Sequence, residues 1–394
     1  MTQLSSREWV LKARTPIWTG DADRNGERTV TTGLLGSLRW WFEVLVRGLG
    51  GSACDPAEPD GRCPDKNDKH CVVCELFGCT GWARKFRFDV LDEVGKVKRD
   101  QIKKDETFRF RFSPLRPMCE EEWALLDLTL RLISDYGATG GKTVLKPSRE
   151  PGLADLDLTD FEERDHRVRV RNARRGLPLT REDIVQRVGS QTVASVEDLR
   201  RVISSRTHGE PVTLDKLHNG RISQVSAWFG KRHHVDYGLI EITDGWIPLI
   251  TTRDVLRDHI TSLGCRRVNQ DDVGWASLKH FWCVEGRCLG RESAGGCTFN
   301  LVVGRNEAKR QAHDLRRGAN DADGWLAGRQ QRSKKVFSFK DPPRTFGFVK
   351  PDLLSLDEMR ERLKGAWPDL ADDEFLPGPT ILDRLLSNTG GRTR

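Results

Sequence analysis

Between Thr15 and Phe88 the chain carries a strict order of patterns that few folds accommodate: an apolar strand, a polar turn, a long helix, a cysteine-rich insert and a second strand. The strand that starts near Trp9 is punctuated by Pro16 and Gly20 in Thr15-Pro16-Ile17-Trp18-Thr19-Gly20. After the turn Asp21 to Arg28, Leu34, Leu38, Trp41, Leu45 and Leu49 recur at spacings of three and four. That is the period of a helix laid on a core, and Thr31 or Thr32 is expected to cap its start. Beyond Gly50-Gly51 come Cys54, Cys63, Cys71 and Cys74, closing on Glu75-Leu76-Phe77-Gly78, and a strand resumes from Trp82 to Val90.

The cysteines are the sharpest local signal. Five of the ten fall between Cys54 and Cys79, a clustering that favours a metal site in a reducing cytoplasm over a disulfide framework. Cys71 and Cys74 can present two thiolates from one turn, and Cys54 and Cys63 complete four sulfur ligands. The Pro-, Gly- and Asp-rich sequence between them cannot form a core alone, so a structural zinc ion would supply its folding energy. Replacement of one ligand by Cys79 or His70 is the leading variation, and a reduced, metal-free loop is the alternative. Cys265, Cys283, Cys288 and Cys297 are wider spaced and read more readily as buried thiols than as a second zinc site.

Further along, Phe108, Phe110 and Phe112 alternate with Arg109 and Arg111, a strand with one buried and one basic face. Trp123, Leu126, Leu130 and Ile133 follow at helical spacing behind Glu120-Glu121-Glu122. The order strand, helix, strand, strand, helix makes up most of a βαββαβ unit, in which two helices cover one face of an antiparallel sheet.

Three motifs carry a resemblance: Thr-Pro-x-x-Thr-Gly at 15–20, Gly-x-Leu-Arg-Trp-Trp at 36–41 and Cys-x-x-Cys-x-Leu-Phe-Gly at 71–78. In this order, over roughly the first 150 residues, the chain resembles the RAMP superfamily of CRISPR proteins, and within it the family of first subunits of the type III-B (Cmr) RNA-targeting effector. The resemblance implies an α+β fold of two ferredoxin-like (RRM-like) βαββαβ domains. It also implies a non-catalytic subunit that holds the 3′ region of CRISPR guide RNA and its duplex with target RNA, beside other Cmr-type effector subunits. In RAMP proteins a glycine-rich loop after the second helix lies along RNA, and Gly140, Gly141 and Lys142 occupy that place. A P-loop reading of the same stretch fails, because three residues rather than four separate Gly137 from Gly141-Lys142. Where many RAMP helices carry a basic residue just before the glycine, this chain has Leu35.

Arg39 and Trp40 combine a cation with an aromatic ring that could grip phosphate and stack a base. Arg84, Lys85 and Arg87 could take up phosphate from the strand after the insert, or serve as surface charges. Trp41 falls on the apolar stripe. The formal charge of +7 is too small to identify a nucleic-acid binder by itself. No run of about 18 apolar residues exists, so no membrane partner is expected and the cytoplasm is the expected location.

The domain reading is 1–150 for the first unit with the zinc insert at 50–80, 151–220 for an arginine-rich insertion or linker, and 221–394 for a second ferredoxin-like domain. Arg167, Arg169 and Arg171 would share one strand face, which could track phosphate or guard an edge. Ile184 to Val188 and Val196 to Ser204 read as helices. In the last part, Tyr237 to Ile242, Trp246 to Thr251, Thr298 to Val303 and Phe346 to Val349 read as strands; Arg253 to Leu263, Ala276 to Trp282 and Leu356 to Leu363 read as helices. The segment Ser277 to Trp282 faintly echoes Ser37 to Phe42. The resemblance also implies a comparison for Asp21 and Asp23, since an aspartate near this loop cuts target RNA in the backbone subunits of type III complexes, but Thr19-Gly20-Asp21-Ala22-Asp23 resembles the noncleaving first subunit better. The alternative function is a RAMP endoribonuclease that processes guide precursor with His233 or His234 as acid or base.

Overall fold

The computed structural model describes residues 5–20, 28–55, 61–140, 144–145, 154–156, 160–171, 179–204, 212–229, 235–245, 252–262, 266, 274–290, 298–305, 319–328 and 333–387. It divides into two compact units, Met1–Val144 with Asp236–Arg394, and Leu145–Val235. Among the described residues no helix is long and apolar enough to cross a membrane.

The first unit opens with β1 (Arg7–Ala13), α1 (Thr31–Gly48), the short α2 (Val72–Phe77), β2 (Phe86–Asp92), β3 (Thr107–Pro114) and α3 (Glu120–Tyr136). A fourth strand, Ile240–Asp244, arrives about a hundred residues later and pairs with β1, giving the antiparallel order Ile240–Asp244, β1, β3, β2. This is the connectivity strand, helix, strand, strand, helix, strand. The alternation expected for β3 is present. Phe108, Phe110 and Phe112 are buried, and on the opposite face Arg111 meets Asp89 at 3.5 Å and Glu8 at 3.8 Å. Trp9, opposite Phe110, is fully buried and donates from Nε1 to Asp127 on α3 at 2.8 Å. Each such apolar side chain contributes roughly 1.5–3 kcal/mol by leaving water.

The start of α1 differs from expectation. Its cap position is Val30, so Thr31 and Thr32 already lie in the first turn. Thr19 ties down this end from across the loop: its Oγ1 accepts the Val30 N–H at 2.9 Å and donates to the Arg28 carbonyl at 2.8 Å. The apolar stripe Leu34, Leu38, Trp41, Leu45 and Leu49 is buried as the spacing predicts.

A second antiparallel sheet lies in the same unit, in the order Val336–Lys340, Pro343–Phe348, Phe281–Glu285, Phe375–Pro377. Helices Thr298–Val302 and Asp321–Ala327 fall between Phe281–Glu285, the first of its strands in the chain, and its hairpin, and Leu356–Ala366 between the hairpin and its last strand. The strand order therefore repeats that of the first sheet. Trp41 of α1 reaches it, with ring centroids 5.6 Å from Phe281 and 6.0 Å from Phe346.

Three local expectations are corrected. Ala276 to Trp282 is a short 3-10 turn, Leu278–His280, running into the strand Phe281–Glu285, so its echo of Ser37 to Phe42 is no structural repeat. Thr298–Val302 is helical, because Thr298 Oγ1 bonds back to Gly290 and starts a turn. Ile184–Val188 is a strand; it pairs with Val212–His218 and buries Val185 and Val188. Apolar runs this short fit either period, and pairing partners decide between them. The strand Ile240–Asp244 begins three residues later than expected, while Arg253–Ser262 and Leu356–Ala366 are helical as read. Trp246 to Thr251 lies outside the described residues.

The second unit also departs from the sequence reading. The expected boundary between 220 and 221 falls at the turn of a hairpin, Val212–His218 with Arg221–Phe229. These strands belong to a sheet in the order Ala154–Leu156, Arg221–Phe229, Val212–His218, Ile184–Val188, Arg167–Val170, Phe161–Arg164. Phe161, Val168, Val170, Val188, Leu199 and Leu214 give it a core of its own. Val168 and Val170 point inward and Arg167, Arg169 and Arg171 do not, as the alternation requires.

Candidate functional site

Helix α1 delivers the chain to the cysteine cluster, and α2 organises it. Cys71 sits at the cap position of α2 and Cys74 in its first turn, while Cys54 and Cys63 come from the loop before it. All four are buried, and their sulfurs lie within 4.8 Å of one another. Cys54 and Cys74 sulfurs are 3.4 Å apart, and the Cys71 N–H donates to Cys63 Sγ at 3.2 Å. A tetrahedral ion with sulfur ligands at about 2.3 Å needs sulfurs separated by about 3.8 Å, so the four residues fit such an ion. A full set of thiolates leaves no position for water, so the ion's role would be structural. Cys79 and His70 stand outside the cluster, and His70 stacks on Trp82 with centroids 4.7 Å apart. Of the wider-spaced cysteines, Cys283 is buried in a strand and Cys288 is exposed, while Cys265 and Cys297 lie outside the described residues.

The cluster's electrostatics come from α1. The Arg39 guanidinium donates to Cys74 Sγ at 3.2 Å, to the Gly78 carbonyl at 2.8 Å and to Glu43 at 3.1 Å. Burial opposes its charge, but Cys74 and Glu43 outweigh that and raise its pKa above the ordinary value. Arg47, two turns on, faces the other Glu43 oxygen at 3.7 Å and donates to the Ala276 and Ala53 carbonyls. Hydrogen bonds among the four thiols divide them: those from Cys54 hold Cys71 below the usual thiol range and bring Cys63 down to about 7, while bonds to their neighbours push Cys54 and Cys74 up.

The other sequence candidates scatter. Trp40 packs edge-on against Trp41 and Phe348, at 5.0 and 5.4 Å. Lys85 points into an acidic pair, 2.8 Å from Glu122 and 3.4 Å from Glu75. Arg87 is exposed and pairs with Asp89 at 2.9 Å, and Arg84 is half-buried. Gly140 is held against α1: its N–H donates to Ser37 Oγ at 3.1 Å. It adopts φ +105°, and a Cβ there would stand 2.7 Å from the Trp18 carbonyl oxygen, so both backbone and space demand glycine. Beside Ser37, Gly36 is exposed, and a Cβ on it would meet nothing within 4 Å. The end of the Thr15–Gly20 segment, the first turns of α1 and Gly140 thus come together, with Gly36 exposed beside them. Ser37 and the open aspect of Gly36 escaped the sequence reading, since no spacing links position 37 to 140. Gly141, Lys142, Asp21, Asp23, His233 and His234 lie outside the described residues.

A second group of ligand-type side chains also had no sequence signal. Cys119 and Glu122 at the start of α3 meet His259 of the helix Arg253–Ser262, with donor atoms within 4.8 Å of one another.

Residues 10–145 match the family described as RAMPs, the RAMP superfamily. No curated protein matches the chain. Among solved structures the chain is similar to Cmr1 from Pyrococcus furiosus in its apo form, at 16% identity and TM-score 0.24, covering 34% of this chain and 45% of that one. It is also similar to a chain of the Csm3-Csm4 subcomplex in the type III-A CRISPR-Cas interference complex, at 14% identity and TM-score 0.21, covering 35% of this chain and 69% of that one. The chain thus spans less than half of the Cmr1 chain it matches.

Proposed function

We propose, from the RAMP-superfamily domain that the chain carries at residues 10–145, that this is an RNA-binding subunit of a type III-B CRISPR effector. It holds the 3′ region of guide RNA and its duplex with target RNA, and it does not cut. The observation that carries this reading is the convergence of Gly140 and Ser37 beside Gly36, inside the matched segment, on an open face where a phosphate backbone can approach. With Gly140, whose own N–H is taken by Ser37, shaping the turn, Gly141 and Lys142 are the groups assigned to hold that backbone, and Arg84 and Arg87 remain separate phosphate candidates. Base pairing by the guide supplies sequence choice. Arg39, Trp40 and Lys85, engaged within the domain, are assigned to holding it together rather than to RNA.

The two sheets with matching strand order are read as two ferredoxin-like units. The tetrathiolate cluster is read as a structural zinc centre that fastens the insert to α1. Cys54, Cys63, Cys71 and Cys74 would hold the ion, which when bound contributes folding energy. Other effector subunits are the expected protein partners.

The test incubates the purified chain with labelled guide precursor, guide and guide–target duplex at low and high salt, read by gel shift and by denaturing gel. Salt-sensitive retention of intact RNA supports the reading. Specific cleavage that disappears in His233→Ala or His234→Ala overturns it in favour of an endoribonuclease.

A further inference from the structure

We propose a second metal site, built by Cys119, Glu122 and His259, that takes zinc or a similar late first-row divalent ion and joins α3 to the helix Arg253–Ser262. The three residues meet in space whatever the chain does with RNA. Cys119 Sγ lies 4.0 Å from both ring nitrogens of His259, 140 residues away in the chain. Glu122 stands three residues after Cys119 on the same helix end, and the donor atoms of all three residues lie within 4.8 Å of one another. A thiolate, an imidazole and a carboxylate are together the ligand types that select zinc-class ions over magnesium or calcium.

The surroundings suit an open rather than a closed site. Cys119 is exposed, His259 half-buried and Glu122 buried, so three protein ligands face a position that solvent can reach. The two Glu122 oxygens have separate tasks: Oε1 accepts from Lys85 Nζ at 2.8 Å, and Oε2 accepts from the Cys119 N–H at 3.1 Å. Oε2 is therefore the oxygen turned toward the cysteine, and Lys85 fixes the carboxylate as an outer partner does in metal sites. An ion replaces the Cys119 S–H proton, which leaves to solvent, and its fourth ligand is water. The tetrathiolate cluster, by contrast, fills all four positions with sulfur.

The test counts zinc. The full chain is loaded with excess zinc, desalted, and its metal per chain measured for the unsubstituted protein and for Cys119→Ser, His259→Ala and Cys71→Ser. Serine is a preferred helix cap, so Cys119→Ser keeps the start of α3 while removing the thiolate. The proposal expects Cys119→Ser and His259→Ala each to lose about one equivalent, as removal of a ligand from a three-residue site requires. The zinc lost in Cys71→Ser reports the tetrathiolate centre separately. If that centre does not bind, the unsubstituted chain holds one ion fewer, yet the loss in His259→Ala persists. Circular dichroism at equal protein concentration verifies that the variants are folded. Folded Cys119→Ser and His259→Ala chains that retain the zinc content of the unsubstituted chain would overturn the proposal.

Discussion

The guanidinium of Arg39 lies 3.2 Å from the sulfur of Cys74, thirty-five residues away, and binds Glu43 on its other side. A side chain that the sequence offers to RNA is thereby turned to the thiolates. Arg39→Met removes a donor to Cys74 and leaves Glu43 with Arg47 alone, and such outer partners typically affect metal affinity by about 10–100-fold. Zinc should therefore pass to a competing chelator at correspondingly lower chelator concentration, while RNA retention by the zinc-loaded protein is unchanged. Unchanged zinc affinity with weakened RNA binding would return Arg39 to the phosphate contact that its sequence suggests.

Gly36 and Gly140 make opposite predictions although they approach the same face. Gly140→Ala places a methyl group against the Trp18 carbonyl in a left-handed backbone and should cost about 1–3 kcal/mol of stability, seen as a lowered melting temperature. Gly36→Glu meets open space, so its fold should change only by helix propensity, in this case favourably. The added carboxylate repels phosphate, and RNA retention should fall severalfold at low salt and less at high salt. If Gly36→Glu binds RNA as tightly as the unsubstituted chain, the open face is not where RNA lies.

What the sequence makes legible is local. The alternation of Phe108, Phe110 and Phe112 and the spacing of Cys71 and Cys74 are each complete within one element, so the strand face and the paired thiols follow from residue order alone. Contacts that close over long separations do not. The strand beside β1 is Ile240–Asp244, which arrives after a compact unit with its own sheet, and no periodicity announces that return. Ile184–Val188 shows the same limit on a smaller scale: five residues carry no period of their own, and Val212–His218 decides that they are extended. His259 reaches Cys119 by tertiary packing alone.

Trp9→Phe tests the buried polar link between β1 and α3. The substitution keeps an aromatic ring against Phe112 but removes the Nε1 donor that Asp127, fully buried, receives at 2.8 Å. A carboxylate deprived of a charge-assisted bond costs roughly 1.5–3 kcal/mol, which urea unfolding should register as a lower midpoint at unchanged slope.

Asp183 gives the second unit a predictable response to acid. Its carboxylate is fully buried, with Lys216 Nζ at 2.9 Å from Oδ2 and His218 Nδ1 at 2.7 Å from Oδ1, and the Thr180 N–H donates to it at 2.7 Å. Burial alone would raise its pKa; the Thr180 hydrogen bond and the Lys216 charge outweigh burial, so the folded value lies below the ordinary one. The folded state therefore binds this proton less readily than the unfolded state. The resulting stabilisation is present above the unfolded pKa of about 3.9 and is lost as pH falls through the folded value. Amide exchange in peptides from 179–204 and 212–229 should accelerate in that acid window relative to neutral pH, after correction for intrinsic rates. Asp183→Asn should raise exchange at neutral pH, by roughly 1.5–3 kcal/mol of lost protection, and reduce its dependence on acid. Equal acid dependence in the variant would mean that another carboxylate sets the response.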